Sequence, residues 1–307
     1  MKKVLFATTA IVAFAGAASA AETTVSGFAE LGINDNSSGD MQFFQDIEVT
    51  FGMSGETDGG LAFGASVQLD EPGAAAPGDD GGATAFISGS FGTLTMGDTD
   101  GALDWAMTET AVGGAIDDAH TVHAGYNGNG LEGGDGQVLR YDYSMGDFGF
   151  AVSLTQGDNG LGVVDDTTQV GVRYSMDMGG ANVALGLGVA DGQDAEATGF
   201  SAAVTAGAIT GVVNYTDAEL AGVDVTHTGL GLGYTAGALT VGVNWGEYDI
   251  TGADNDDGFG IAVNYDLGGG AVVQLGYADS NSLDADDLPA GATNDDGLFS
   301  LGVAMSF

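Results

Sequence analysis

The chain has 307 residues, a formal net charge of −40 and no cysteine. So much negative charge argues against nucleic acid as a partner, and an exported chain of this composition does without disulfides. Glycine is abundant (56) and proline scarce (3), but no Gly-X-Y period exists, so a collagen-like chain is excluded.

The N-terminus begins Met1-Lys2-Lys3, continues through an apolar run from Val4 to Ala18, and reaches the small-residue site Ala18-Ser19-Ala20. This is the pattern of a secretory signal peptide, too short and wrongly flanked for a membrane span. Cleavage is expected after Ala20, with the next residue as the alternative, leaving residues 21–307 as the mature chain. Both lysines leave with the signal, which carries no acid. Two basic residues, Arg140 and Arg173, then stand against 44 acids, a formal −42. Salt adaptation, as a solvated acidic surface, is one source of such a charge and an affinity for cations is another; the two are compatible. No later stretch has 18 uninterrupted apolar residues, so the sequence holds no helical span.

From there the dominant signal is a period of 2, the mark of strands with two unlike faces. In the first strand Val25, Gly27, Ala29, Leu31 and Ile33 share one face, and Ser26, Phe28, Glu30 and Gly32 the other. In the second, Phe43, Ile47, Val49, Phe51 and Met53 oppose Phe44, Asp46, Glu48, Thr50 and Ser54, with Gln45 a polar intruder on the apolar face. In the third, Leu61, Phe63, Ala65, Val67 and Leu69 oppose Ala62, Gly64, Ser66 and Gln68. Later strands repeat the pattern more cleanly, as in Phe148, Phe150, Val152 and Leu154. Sixteen segments emerge, near 24–33, 42–55, 61–69, 83–89, 91–97, 137–144, 148–156, 169–175, 181–189, 198–206, 209–216, 225–235, 238–248, 257–267, 271–278 and 297–307.

The connections alternate in length. Short turns such as Met145-Gly-Asp147 and Gly207-Ala208 alternate with longer acidic stretches near 70–82, 98–136, 157–168, 190–197, 217–224, 249–256 and 279–296. An even number of strands with short turns at one end and long loops at the other predicts an all-β fold, a sixteen-stranded antiparallel transmembrane β-barrel. Aromatics give a second check. With the chain entering from the periplasm, Tyr143, Phe148, Tyr174, Tyr234, Tyr265 and Phe307 fall near the periplasmic rim. Tyr215, Trp245, Phe259, Tyr277 and Phe299 fall near the outer rim, so two girdles emerge. The stretch 98–136 is the longest connection, rich in Gly, Ala, Asp, Thr and His and without a sustained period. Long structureless loops are commonly functional, and this one is expected to fold into the lumen as a constriction.

Three segments carry a family resemblance: Phe91-Gly-Thr-Leu-Thr-Met-Gly97 with the insertion behind it, Leu139-Arg-Tyr-Asp-Tyr-Ser-Met-Gly-Asp-Phe-Gly-Phe-Ala-Val-Ser153, and the terminal Leu298-Phe-Ser-Leu-Gly-Val-Ala-Met-Ser-Phe307. In order and spacing the chain resembles the trimeric sixteen-stranded general porins of Gram-negative outer membranes, closest to those of phototrophic and related alphaproteobacteria. The resemblance implies a homotrimer in outer-membrane lipid and lipopolysaccharide, a water-filled channel, and a C-terminal Phe307 recognised by the assembly machinery. It also implies an eyelet formed by acids of the third loop facing basic residues on the wall.

The loop supplies the acids: Asp98, Asp100, Asp104, Glu109, Asp117 and Asp118, with Glu132 and Asp135 further on. The wall departs from the family pattern, with Glu30, Asp46, Glu48, Ser66 and Gln68 where relatives are often basic, leaving Arg140 and Arg173. Both arginines alternate with apolar neighbours and are expected in the lumen, because a lipid-facing arginine at midplane costs roughly 2–4 kcal/mol. An eyelet about 10 Å across is comparable with the Debye length of about 8–10 Å at ordinary salt, so its fixed charge is not screened out. The expectation is a cation-selective diffusion pore.

Weaker patterns remain. His120 and His123 beside Asp117 and Asp118 lack a marked third metal ligand. The runs at 254–257, 284–287 and 294–296 offer hard oxygens that suit Ca²⁺; no cofactor is otherwise required. His120, His123 and His227 sit in no nucleophile pattern, so no enzyme activity is expected. The alternatives are a channel dedicated to one solute and a secreted acidic Ca²⁺-binding adhesin, the latter suggested by Gly78-Asp-Asp-Gly-Gly82 but lacking a nonapeptide period.

Overall fold

The computed structural model describes residues 22–35, 41–70, 82–116, 138–155, 166–192, 195–220, 222–253, 255–280 and 297–307. The signal peptide, Asp117, Asp118, the histidines at 120 and 123, and most of the oxygen-rich runs lie outside the described residues.

The first five strands are β1 (Glu22–Asp35), β2 (Met41–Glu56), β3 (Ala62–Asp70), β4 (Ala83–Gly89) and β5 (Gly92–Gly97). A one-turn helix, α1 (Ala102–Ala106), follows. The sheet resumes with β6 (Val138–Met145), β7 (Phe148–Thr155), β8 (Thr167–Asp177), β9 (Ala181–Gly192), β10 (Ala195–Ala206) and β11 (Ile209–Leu220). It ends with β12 (Val223–Ala236), β13 (Leu239–Ile250), β14 (Asp256–Gly268), β15 (Ala271–Ser280) and β16 (Leu298–Ser306). Each strand pairs antiparallel with its sequence neighbours, and β1 pairs with β16, closing a sixteen-stranded barrel. Phe307 completes the seam: it exchanges backbone hydrogen bonds in both directions with Gly27, at 2.9 and 3.3 Å. Closure leaves no edge, so the ladder satisfies the strand N–H and C=O groups.

All sixteen expected segments are strands, and the two faces behave as the period of 2 requires. Side chains such as Leu154, Leu187, Phe200, Leu230 and Leu232 stand exposed on the outside. A contiguous apolar belt of this size is not a water-facing surface; with no described helix long and apolar enough to span, the strands are what faces lipid. The girdle residues pair across strands at the expected ends. Phe148 opposes Tyr174 with ring centroids 4.6 Å apart, while Trp245 opposes Phe259 and Tyr277 opposes Phe299.

Two expectations need correction. The stretches 190–197, 217–224 and 249–256 are not long loops. β9 and β10 run to within two residues of each other, as do β11 and β12, and β13 extends to Ile250. The hydrophobic alternation ends where the apolar surroundings end, but backbone pairing does not depend on side-chain polarity and continues into water. The second correction is α1. Five residues are too few to establish a helical period in the sequence, yet Trp105 N–H donates to the Gly101 carbonyl at 2.9 Å, and Asp104 sits favourably in the first turn.

Candidate functional site: the lumenal constriction

Residues 98–116 enter the barrel and lie along its inner wall. The wall that receives them is made of glycines and short polar side chains on the lumenal parity of the strands. Their hydroxyls, amides and carbonyls satisfy loop backbone groups that would otherwise be buried without partners. Ala102 N–H donates to Ser153 Oγ on β7 at 2.8 Å, and Leu103 N–H to Gln169 Oε1 on β8 at 2.9 Å. Thr108 N–H donates to Ser201 Oγ on β10 at 2.9 Å. On β14, Asn264 accepts from Gly114 N–H at 2.9 Å and donates back to the Gly114 carbonyl at 2.7 Å. The apolar side of α1 completes the attachment: Leu103 packs with Ala190, Ala197 and Ala218, with Met107 at the margin. Ile116 ends the described loop against Gly32 and Gly302, on β1 and β16.

Both arginines are on the lumenal face, as their alternation required. Arg140 donates from Nη1 to the Asp100 carbonyl at 2.8 Å. Its guanidinium lies 4.0 Å from the Asp100 carboxylate and 3.6 Å from Asp142. These separations are charge contacts rather than hydrogen bonds. Arg173 is exposed to the lumen and stacks on Trp105, its Cζ 3.9 Å from the ring centroid. On the periplasmic side of α1, Trp105 and Arg173 line a cavity of ≈ 440 Å³ together with Met107, Asp147 and Phe148. The positive charge of the wall is therefore tied to the start of the loop.

The other predicted residues are placed as follows. Asp98 is exposed beside Gly82, at the mouth of β4. Asp100 is half exposed, with 50% of its side-chain surface accessible, and Asp104 and Glu109 are half-buried. Glu30, Asp46 and Glu48 have the lumenal parity expected of them. Glu30 directly opposes Asp46, and Gln68 Nε2 donates to Glu48 at 2.8 Å. They are, however, buried in the wall (6%, 7% and 2% exposed) and do not stand free in the lumen. The carboxylates of Asp46, Glu48 and Asp70 approach within 4.8 Å of one another, the grouping among the described residues that could hold a cation.

Sequence reasoning missed Trp105, Asp142 and the anchors Ser153, Gln169, Ser201 and Asn264. A signal existed for each. Asp142 lies two residues from Arg140, on the same face. Trp105 is one of only two tryptophans in the chain and stands in a stretch rich in Gly, Ala, Asp and Thr. The anchors are polar residues on lumenal positions, each with a Gly or Ala two residues away on the same face.

Comparison with known proteins places this geometry in context. A family model described as Gram-negative porin matches residues 7–285. The chain is 33% identical to a porin of Rhodobacter capsulatus, over 93% of this chain and 100% of that protein. It is similar to a porin structure refined at 1.8 Å, with a TM-score of 0.70, 30% identity, and coverage of 93% of this chain and 100% of that one. Variants of a Rhodopseudomonas blastica porin share the fold at TM-scores such as 0.66, with 22% identity and the same coverage.

Proposed function

Since the chain belongs to the Gram-negative porin family and forms a porin channel in the outer membrane, we propose that it passes small hydrophilic solutes and ions by passive diffusion, with a preference for cations. The observation that carries the preference is the state of the two arginines. They are the whole basic complement of the mature chain, and Arg140 is already matched by Asp100 and Asp142. The half-buried acids Asp104 and Glu109 then outnumber Arg173, the exposed cation of the lumen. Glu30, Asp46 and Glu48 act from within the wall, where the field of a carboxylate is less screened than in water.

The test is permeability of single-residue variants. Neutralising Asp100, Asp104 or Glu109 (to Asn, Asn and Gln), and Asp117 by Asn, lowers the cation-to-anion permeability ratio wherever the acid borders the channel. Ratios unchanged in all four variants contradict the proposal. A channel dedicated to one solute remains the second reading and is recognised by conductance that saturates with that solute.

Finer features complete the proposal. Export follows cleavage of the signal peptide after Ala20, leaving residues 21–307 as the barrel. Assembly uses Phe307, whose side chain is exposed at the rim beside the closing seam. The protein works as a homotrimer surrounded by outer-membrane lipid and lipopolysaccharide. Its oxygen-rich outer loops bind Ca²⁺, so a chelator lowers thermal stability.

A further inference from the structure

The loop lies on the wall because the wall has no side chains where the loop backbone passes. On β8, a Cβ added at Gly171 would fall inside the envelope of the Ala102 carbonyl oxygen. On β9 the same is true of Gly186 and the Ala106 carbonyl. On β12 and β13, Gly231 and Gly242 meet the carbonyls of Thr110 and Val112. Between them, Gly188 would place a Cβ 2.7 Å from Leu103 Cα, and Gly233 would meet the side chain of Val112. All six lie on lumenal positions of two hairpins, β8–β9 and β12–β13, that are separate in sequence, and they meet one continuous segment of twelve residues or fewer. None of the six has the left-handed backbone that would by itself require glycine. What excludes a side chain is the approach of another backbone.

We propose that these glycines form a keyway that sets the distance of the loop from the wall, and hence the bore of the channel. They are positioning residues for size selection. A carbonyl does not deform, so a methyl group behind it moves the whole segment by about 1 Å or more toward the axis. The hydrogen bonds to Ser153, Gln169, Ser201 and Asn264 hold the loop against the wall, and the glycines fix how close it comes. This inference rests on the channel itself and not on its charge preference, since it concerns the passage of neutral solutes.

The experiment uses the full-length protein in proteoliposomes, comparing swelling rates with a neutral monosaccharide and a neutral disaccharide. Variants are first checked for the heat-modifiable mobility of a closed barrel. Gly231→Ala and Gly242→Ala lower the disaccharide-to-monosaccharide rate ratio by about twofold or more, because the larger solute feels a narrowed pore first. Gly211→Ala, on the outward face with nothing within 4 Å, leaves the ratio unchanged. A second pair separates loop position from general damage to the fold. Gly233→Ala collides chiefly with Val112 Cγ1, with Val112 Cβ 2.9 Å from the added Cβ, so the added change Val112→Ala restores most of its ratio. The same Val112→Ala does not restore Gly242→Ala, whose collision is with the Val112 backbone. Should Gly231→Ala and Gly242→Ala fail to form barrels, the Gly233→Ala variant and its rescue carry the test. An unchanged or increased ratio in the folded variants, or a Gly233→Ala effect that Val112→Ala does not reverse, overturns the proposal.

Discussion

Arg140 and Arg173 are the residues on which wall and loop meet, and they do different work. Arg140 is mostly covered and holds the incoming chain at Asp100. Arg173 stands in the lumen and holds Trp105. Replacing Arg140 by Gln removes a charged hydrogen bond to the Asp100 carbonyl, worth about 1.5–3 kcal/mol. The expected outcome is a lower temperature for loss of the compact barrel band and a higher cation preference. Replacing Trp105 by Ala removes a solvent-exposed cation–π contact of about 0.5–1 kcal/mol. It also enlarges the cavity beneath α1, so single-channel conductance rises with little loss of stability. The lumenal position of both arginines was legible in the sequence, because alternation with apolar neighbours leaves one inexpensive side of the wall for a charge. Their partners were harder to see: Asp142 required reading a single strand face as a charge pair. The contact with Trp105 joins residues 68 positions apart, which no local period encodes.

At the scale of the strand, the alternation of hydrophobicity reports the surroundings of each face more than the extent of the ladder. Faces such as Leu185, Leu187 and Val189 mark the apolar zone on β9, while the same strand continues through Asp191 to Gly192. All sixteen strands were therefore legible and three of the outer connections were overestimated. The same reasoning predicts an asymmetry between adjacent positions. Leu187→Arg puts a charge in the outward belt near mid-strand and destabilises the barrel by about 2–4 kcal/mol, measured by folding equilibria in lipid. A charge at outward Thr198, near the outer end beside Asp217 and Asp191, costs much less. The inner face held a further message that was visible but unread. Many of its glycines and polar residues face the backbone of the third loop. Glycine in a strand marks close approach of another chain segment, and here the segment comes from elsewhere in the sequence.

For the whole molecule, charge decides more than packing. At the outer end Asp191 opposes Glu196, Glu196 opposes Glu219, and Glu219 opposes Asp224, making a row of four carboxylates across β9 to β12 on the outward face. Like charges directly opposite one another destabilise a sheet, and salt screens them. Stability should therefore rise with NaCl from low to high ionic strength, seen as an increasing temperature of barrel unfolding; a flat or falling dependence would show that this row is neutralised by other means. The closed barrel and its family followed from strand number, turn alternation and terminal motifs. The burial of Glu30, Asp46 and Glu48 did not, because parity gives the side of a wall and not what covers it. The central claim, a channel whose fixed acids favour cations, is tested most directly by the zero-current potential of the wild-type protein in a planar bilayer under a KCl gradient. The account predicts a cation-selective sign near 0.1 M, where the screening length is about 10 Å, and a smaller potential for the same gradient ratio near 1 M, where it is about 3 Å. A potential of the anion-selective sign at low salt would contradict it.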